Sequence, residues 1–306
     1  MKAVRIHEPV GVDGLVYEDA PDAEPAIGDA LVEVHACGFT PGELEWPIWK
    51  DRGGHQRASI TPAHEFSGVV SAVGFGTTGV AVGDAVFGLI DGYRDGAAAE
   101  YIAIEARDVA PKPRTLDHVE AAALPQAGLT SWQGLFVHGG LKQGQTVAIQ
   151  GAGGGVGLTA VELGRWAGAH VIGTGHKGSA SSVLGVGGER FVDLDQAGWE
   201  DSIGEVDVVF DLIGGEVLER SIAIVKPGGA VATATYPPTT TRDDVRIVHF
   251  IREPSGAQLR ALRDLIDSGH VHPHVGAVYP LAQAREAFVA KSDQRIPGKV
   301  VLQVRD

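Results

Sequence analysis

Cysteine is almost missing from this 306-residue chain; Cys37 is the one copy. That excludes an internal disulfide framework and any zinc lobe built from several thiolates. Long apolar runs are missing too. The opening MKAVRIHEPV has no stretch of signal-peptide length, and no run of about 18 uncharged apolar residues follows. The expectation is a cytoplasmic protein with no membrane partner. Basic residues are few, 25 against 39 acidic, for a net charge of −14. This argues against nucleic acid or an anionic membrane as the main partner. A local basic pocket for a small anion remains compatible with it.

Glycine, by contrast, is abundant. The 43 glycines are about twice the usual share. With no collagen period, they imply many tight turns, or backbone that must approach something closely. The hydrophobic fraction of 44% and charged fraction of 21% are those of a globular protein, and the length suggests about two domains.

The first third reads as strands and turns. Ala3–Ile6, Ala30–Val34, Phe66–Val70 and Ala85–Leu89 are short strands, with turns at Gly74, Gly76, Gly79 and Gly83. Their spacing predicts a small antiparallel barrel or sandwich. From about Leu116 the rhythm changes. Two helical stretches, Val119–Leu124 and Leu129–Val137, precede strands at Thr146–Gln150, His170–Thr174, Arg190–Val192, Val206–Asp211, Ala230–Thr235 and Val245–Phe250. Leu158–Ala167 is the clearest intervening helix. Alternating strands and helices predict an α/β fold with a doubly wound parallel sheet. The tail offers helices at Leu259–Ser268 and Leu281–Val289, a loop between them, and a last strand at Lys299–Val304.

The strongest local signal is Val147 to Leu158, a buried-type strand, the cluster Gly151-Ala152-Gly153-Gly154-Gly155-Val156-Gly157, then a helix. A dinucleotide site needs this context: a tight turn, backbone close to a pyrophosphate, and a helix N-terminus that offers free N–H groups. The alternative is a structural turn with no ligand. The end of the second strand bears on which nicotinamide cofactor is bound. An NAD site places Asp or Glu there for the ribose 2′-hydroxyl. Here no acidic residue occurs from His170 to Gly188, while His176, Lys177 and Ser179 could meet a 2′-phosphate. NADPH is favoured; the alternative for Lys177 is an ordinary surface lysine.

At this point the sequence resembles the medium-chain dehydrogenase/reductase superfamily, and within it the zinc-free NADPH:quinone oxidoreductase (zeta-crystallin-like) branch. The marks run in order along the whole chain: Ala36 to Pro41, Pro62 to Val70, Val82 to Gly88, Gly96 to Tyr101, Ala127 to Trp132, the glycine loop, Val208 to Asp211, Lys226 to Gly229, and Gly298 to Leu302. The resemblance implies an N-terminal GroES-like β-barrel catalytic domain, residues 1–117 closed by 259–306. It implies a Rossmann NADPH-binding domain at 118–258, an active site in the cleft, and a homodimer formed by sheet extension. It carries Thr130, Gly153, Gly154, Gly155, Val156, Gly157, Lys177, Ile213, Tyr236 and Phe250 as cofactor-binding positions, beside His176 from the strand-end reading. Leu194 falls where related enzymes often stack an aromatic ring on adenine.

Zinc enzymes of this superfamily hold a catalytic zinc with Cys, His and Cys. Matched locally, those positions are Thr40, His64 and Gln126, so only the histidine remains and no metal is expected. Cys37 reads as a small buried hydrophobe. His64 reads either as a locally bonded relic or as a polar group lining a pocket. Without a metal to polarise an isolated carbonyl, the acceptors left are quinones and α,β-unsaturated carbonyls, where hydride attack gives an anion stabilised by conjugation. Substrate-binding candidates are Thr40, Trp46, Trp49, His64 and Tyr93. Trp46 and Trp49, in a segment with Pro47, form either a flat aromatic wall or a satellite packing cluster. No proton donor is assigned. A specialised enoyl reductase of a biosynthetic pathway, or a NADPH-binding structural or regulatory protein with little turnover, are the alternatives.

Overall fold

The computed structural model describes all residues except Pro47, Arg52, Gln294, Arg295 and Asp306. It divides into two compact units. The first comprises residues 1–126, 253–268 and 273–306; the second comprises 127–252 and 269–272. The sequence reading closed the first segment at residue 117 and began the tail at 259. In the structure the first unit's leading segment ends at Gln126, and residues 253–268 and 273–306 cluster with it.

In the first unit, β1 (Lys2–Arg5) and β2 (Val16–Asp19) form an antiparallel pair. The main sheet is built from β3 (Asp29–Gly38), β4 (Glu65–Val73), β5 (Ala85–Leu89), β6 (Tyr101–Glu105) and β7 (Val109–Pro111). Alternation explains β3: Val32, Val34 and Ala36 are buried, whereas Glu33 and His35 reach partly toward solvent. The chain then forms α1 (His118–Ala122) and enters α2 (Pro125–Trp132). Asp117 caps α1 by accepting from Glu120 N at 2.8 Å.

The second unit holds a six-stranded parallel sheet. In chain order its elements are β8 (Thr146–Gln150), α3 (Gly155–Trp166), β9 (His170–Gly175), α4 (Ala180–Gly185), β10 (Arg190–Asp193), α5 (Trp199–Ile203), β11 (Val206–Asp211), α6 (Gly215–Ala223), β12 (Val225–Thr233) and β13 (Arg246–His249). The strand order β10-β9-β8-β11-β12-β13 reverses direction at β8. That is the doubly wound arrangement, whose ligand site lies beyond the carboxyl ends of the strands at the switch point. The central strands are apolar runs because both faces are covered. Trp199, Ile203, Leu218 and Ile222 pack on Ala148, Val209 and Val231.

The tail adds α7 (Gly256–Asp267), β14 (Val275–Pro280), α8 (Ala284–Asp293) and β15 (Lys299–Gln303). The segment read as a loop contains β14, which pairs parallel with β15, and β15 pairs antiparallel with β3. Phe39 and Phe288 stack with ring centroids 3.8 Å apart, fixing α8 to the first unit's core. Among the described residues, no helix is long and apolar enough to cross a membrane.

Candidate functional site

In the second unit, β8 ends at the glycine loop. Two of the glycines have plain steric reasons. A Cβ at Gly157 would collide with Gly151 O and lie 2.6 Å from Ala152 Cα, so α3 can pack this closely only on a glycine. A Cβ at Gly153 would collide with the Ser179 side chain, which places the turn after β9 directly against the loop. Gly154 caps α3 without a side chain, leaving the helix end open to an anion. Ser131 Oγ donates to Val156 O at 2.9 Å and ties the loop to α2. Thr130 is 5% exposed, and its Oγ1 finds no hydrogen-bond partner among the described residues. A buried hydroxyl left open beside this loop, together with the bare helix end, fits a cradle for a dinucleotide.

The remaining cofactor candidates divide by exposure. His176 and Lys177 are exposed on the 3₁₀ turn after β9. Ile213 is 42% exposed on the turn after β11, which Asp211 builds by accepting from Gly214 N at 3.0 Å. Tyr236 is 78% exposed. The Phe250 ring is buried, stacked on His138 at 4.5 Å and facing Phe210. Its N–H donates to Thr233 O at 3.0 Å. Leu194 is partly buried against the unit's core.

The first unit brings together the three positions matched to zinc ligands. Gln126 Nε2 donates to Thr40 Oγ1 at 2.9 Å, so the two positions that would carry thiolates bond to each other. His64 is buried, with its ring 5.7 Å from that of Trp46. An imidazole, a hydroxyl and an amide are a poor donor set for zinc, which favours thiolate, imidazole and carboxylate. No group of three or more His, Cys, Asp or Glu able to hold a metal occurs among the described residues. The residues present do not fit the metal.

Buried charge fixes this cluster. Glu43, fully buried, accepts from Thr40 N at 3.1 Å through Oε2 and from Ala63 N through Oε1. Ala63 has φ +68°, a left-handed conformation unusual for a residue with a Cβ. The cost is borne where Glu43 and the neighbouring strands hold the chain before His64. Glu65 accepts from Gln126 N at 2.9 Å through Oε2, and its Oε1 pairs with Lys299 Nζ. Lys299 also donates to Phe39 O at 3.2 Å. Cys37 is buried, and burial, with Glu43 and Glu65 adding to it, pushes its thiol well above the usual range.

Trp46 and Trp49 are partly buried against the first unit's core, as a satellite cluster would be, and Trp46 also reaches His64. Pro47 lies outside the described residues. Tyr93 is 52% exposed on a turn where Asp91 Oδ1 accepts its N–H. Arg57 joins that turn to the tryptophan segment by donating to Ile48 O at 3.2 Å and Arg94 O at 3.3 Å. Sequence reasoning missed Glu43, Lys299, Asp195 and Asp211. Asp195 comes alongside through the parallel pairing of β9 with β10, which the local pattern after β9 does not show.

Comparison with known proteins agrees with the fold. The zinc-binding dehydrogenase family matches residues 186–302, a segment without cysteine, and the alcohol dehydrogenase GroES-like domain family matches residues 26–114. A probable zinc-binding oxidoreductase, mitochondrial, from Arthroderma benhamiae is 30% identical, over 98% of this chain and 96% of its own. An NADPH-dependent alkenal/one oxidoreductase, chloroplastic, from Arabidopsis thaliana is 28% identical, over 99% and 79%. The spectinabilin polyketide synthase system protein NorB from Streptomyces orinoci is 34% identical, over 95% of this chain and 14% of its own. The solved quinone oxidoreductase from Coxiella burnetii superposes with a TM-score of 0.89 at 26% identity, covering 100% and 99%. These similarities mark an oxidoreductase of a nicotinamide-dependent class. The chain belongs to the medium-chain dehydrogenase/reductase superfamily and is quinone-oxidoreductase-like.

Proposed function

We propose that the protein reduces quinones or α,β-unsaturated carbonyls with NADPH and without a metal. The observation that carries this reading is the 2.9 Å hydrogen bond between Thr40 and Gln126, which occupies the two positions a catalytic zinc would need. The similarity to an alkenal/one oxidoreductase and to a quinone oxidoreductase supports the acceptor class.

Bound NADPH would supply the hydride. The open end of α3 and the glycine loop would hold its pyrophosphate, the Thr130 hydroxyl would find its partner there, and Lys177 would face the 2′-phosphate. Thr40 accepts from Gln126, so its own O–H remains to be donated. In this reading that hydroxyl stabilises the oxygen on which charge collects, an enolate or a hydroquinone anion. Gln126 positions it, and Glu43 fixes the backbone beneath it through Thr40 N. The buried His64 and the Trp46 ring form the neighbouring wall. Solvent water or a ribose hydroxyl would deliver the final proton. The edge strand β13 is available for sheet extension in a homodimer, and the single unpaired thiol suits a reducing compartment such as the cytoplasm.

A second reading, reduction of an enoyl thioester, is favoured by the match to part of a polyketide synthase system protein. It differs in the acceptor and not in the hydride chemistry.

The test follows NADPH and NADH oxidation against quinones, alkenones, enoyl thioesters and simple aldehydes, with metal analysis alongside. Turnover of the conjugated acceptors with NADPH is expected, and Thr40→Val should lower kcat on the order of tenfold to a hundredfold with a smaller change in KM. Stoichiometric zinc with aldehyde turnover would overturn the reading. Tight NADPH binding with no turnover on any acceptor would indicate a structural or regulatory protein instead.

A further inference from the structure

Along the sequence, the end of the second sheet strand carries no carboxylate. The fold brings one in from the third strand. β10 pairs parallel with β9, Val192 opposite Thr174 and Asp193 opposite Gly175. The residues following each strand therefore emerge side by side. Leu194 N donates to Gly175 O at 3.0 Å, and the Asp195 carboxylate lies 3.1 Å and 3.2 Å from His176 Nδ1. Asp195 is itself anchored, its N–H donating to Asp193 Oδ1 at 3.1 Å. His176 is anchored by the 3₁₀ turn, its carbonyl accepting from Ser179 N at 2.9 Å.

This place has a definite meaning in a dinucleotide fold. The residue that meets the ribose 2′ substituent stands about 20 residues beyond the glycine fingerprint, at the end of the second strand. Counted from Gly157, His176 and Lys177 occupy that position. The collision a Cβ on Gly153 would make with Ser179 shows that the turn carrying them rests on the phosphate loop. The charged groups gathered there are Lys177, which makes no ion pair among the described residues, Asp195 and Asp193, and the titratable His176. With the imidazole protonated, Asp195 is neutralised and Lys177 is left to a phosphate. With it neutral, two carboxylates oppose one lysine, and Asp195 keeps a charge that repels a phosphate and can accept from a hydroxyl.

We propose that Asp195, acting through His176, is the residue that sets 2′-phosphate against 2′-hydroxyl recognition, and that it makes this selectivity depend on pH. The inference deepens the NADPH reading and rests on it for the site. The His176 and Asp195 side chains are 69% and 65% exposed, so the effect is modest and screened by salt.

The test needs no turnover. Binding of 2′,5′-ADP and of 5′-AMP to the full chain is measured calorimetrically from about pH 5.5 to 8.5, at low and high ionic strength. Wild type, Asp195→Asn and His176→Gln are compared, with circular dichroism to confirm folding. Ionisation of the probe's own phosphate near pH 6 is common to all three proteins, so only differences between them count. In wild type, preference for 2′,5′-ADP should fall, relative to Asp195→Asn, as the pH rises. Asp195→Asn should raise that preference about three- to tenfold at high pH and low salt. His176→Gln should show at low pH the weaker preference that wild type reaches at high pH. If Asp195→Asn and wild type keep the same ratio at every pH, the inference is overturned while a preference for 2′,5′-ADP would leave the NADPH reading standing. If wild type binds both probes equally at neutral pH, the NADPH reading fails. A gain of preference in Asp195→Asn would still support the role of Asp195, and its absence would overturn it.

Discussion

The two units bury polar side chains by different logics. In the parallel-sheet unit a row of them stands at the carboxyl ends of four neighbouring strands: Thr174, Gln150, Asp211 and Thr233, all fully buried. Each answers its neighbour or a nearby helix. Thr174 donates to Gln150, Gln150 donates to Ser221 at 2.9 Å, and Thr233 donates to Asp211 at 2.8 Å. Strand order alone assembles this row. In the antiparallel unit, Glu43, His64, Glu65 and Lys299 come from a 3₁₀ turn, a loop, β4 and β15, and Glu65 meets Lys299 only because the tail returns to β3. One unit shows that local rhythm can line up a polar row across a sheet. The other shows that a polar cluster can depend on partners more than two hundred residues apart.

The sharpest way to break the comparison is to cut a long-range pair. Lys299→Met leaves Glu65 buried without its cation and should cost about 3–5 kcal/mol, read from chemical denaturation. Adding Glu65→Leu should recover part of that loss, since no unpaired charge then remains; a double variant no more stable than the single one would contradict this account of the pair. A smaller effect belongs to the local logic. Gly157→Ala forces a methyl group against Gly151 and Ala152 and should cost about 1–3 kcal/mol. It should also weaken 2′,5′-ADP binding in the same calorimetric assay, and unchanged affinity would show that the helix–loop contact does not shape the site.

The smallest effect is a pH slope. His118 stacks on His35 with centroids 4.2 Å apart, and burial, then His35 and Lys112, hold its pKa down to about 4 from 6.5. The unfolded chain therefore takes up a proton that the folded chain resists. Stability should fall as pH drops from about 6.5 toward 4, by about 1 kcal/mol after allowing for solvent screening, and be unaffected above that window. His118→Gln should remove this component from the denaturation midpoint plotted against pH. An unchanged slope would place the acid sensitivity elsewhere.

The same contrast explains what could be read from the sequence. β5, β8 and β11 were legible to the residue because each is a short apolar run bounded by turn signals. β12 begins five residues before its expected start, since Lys226-Pro227-Gly228-Gly229 reads as a turn while the strand crosses it with an irregular register. β14 reads as loop from the sequence; in the structure its face alternates only between partial burial and exposure, and it exists by pairing with β15. At the site, the glycine loop and the Thr40, His64 and Gln126 positions were legible from local pattern and resemblance. The role of Glu43 beneath Thr40 and the approach of Asp195 to His176 were not, since both depend on which distant backbone comes alongside.

The buried cysteine has one more consequence. Cys37 lies on β3 between Leu302 of β15 and Phe66 of β4, and the other unit has no sulfhydryl at all. The Cys37 sulfur is covered by the first unit's core, so a thiol-reactive dye reaches it only when that core opens. The molecule thus carries a built-in reporter for the opening of its antiparallel half, blind to excursions of the parallel-sheet half.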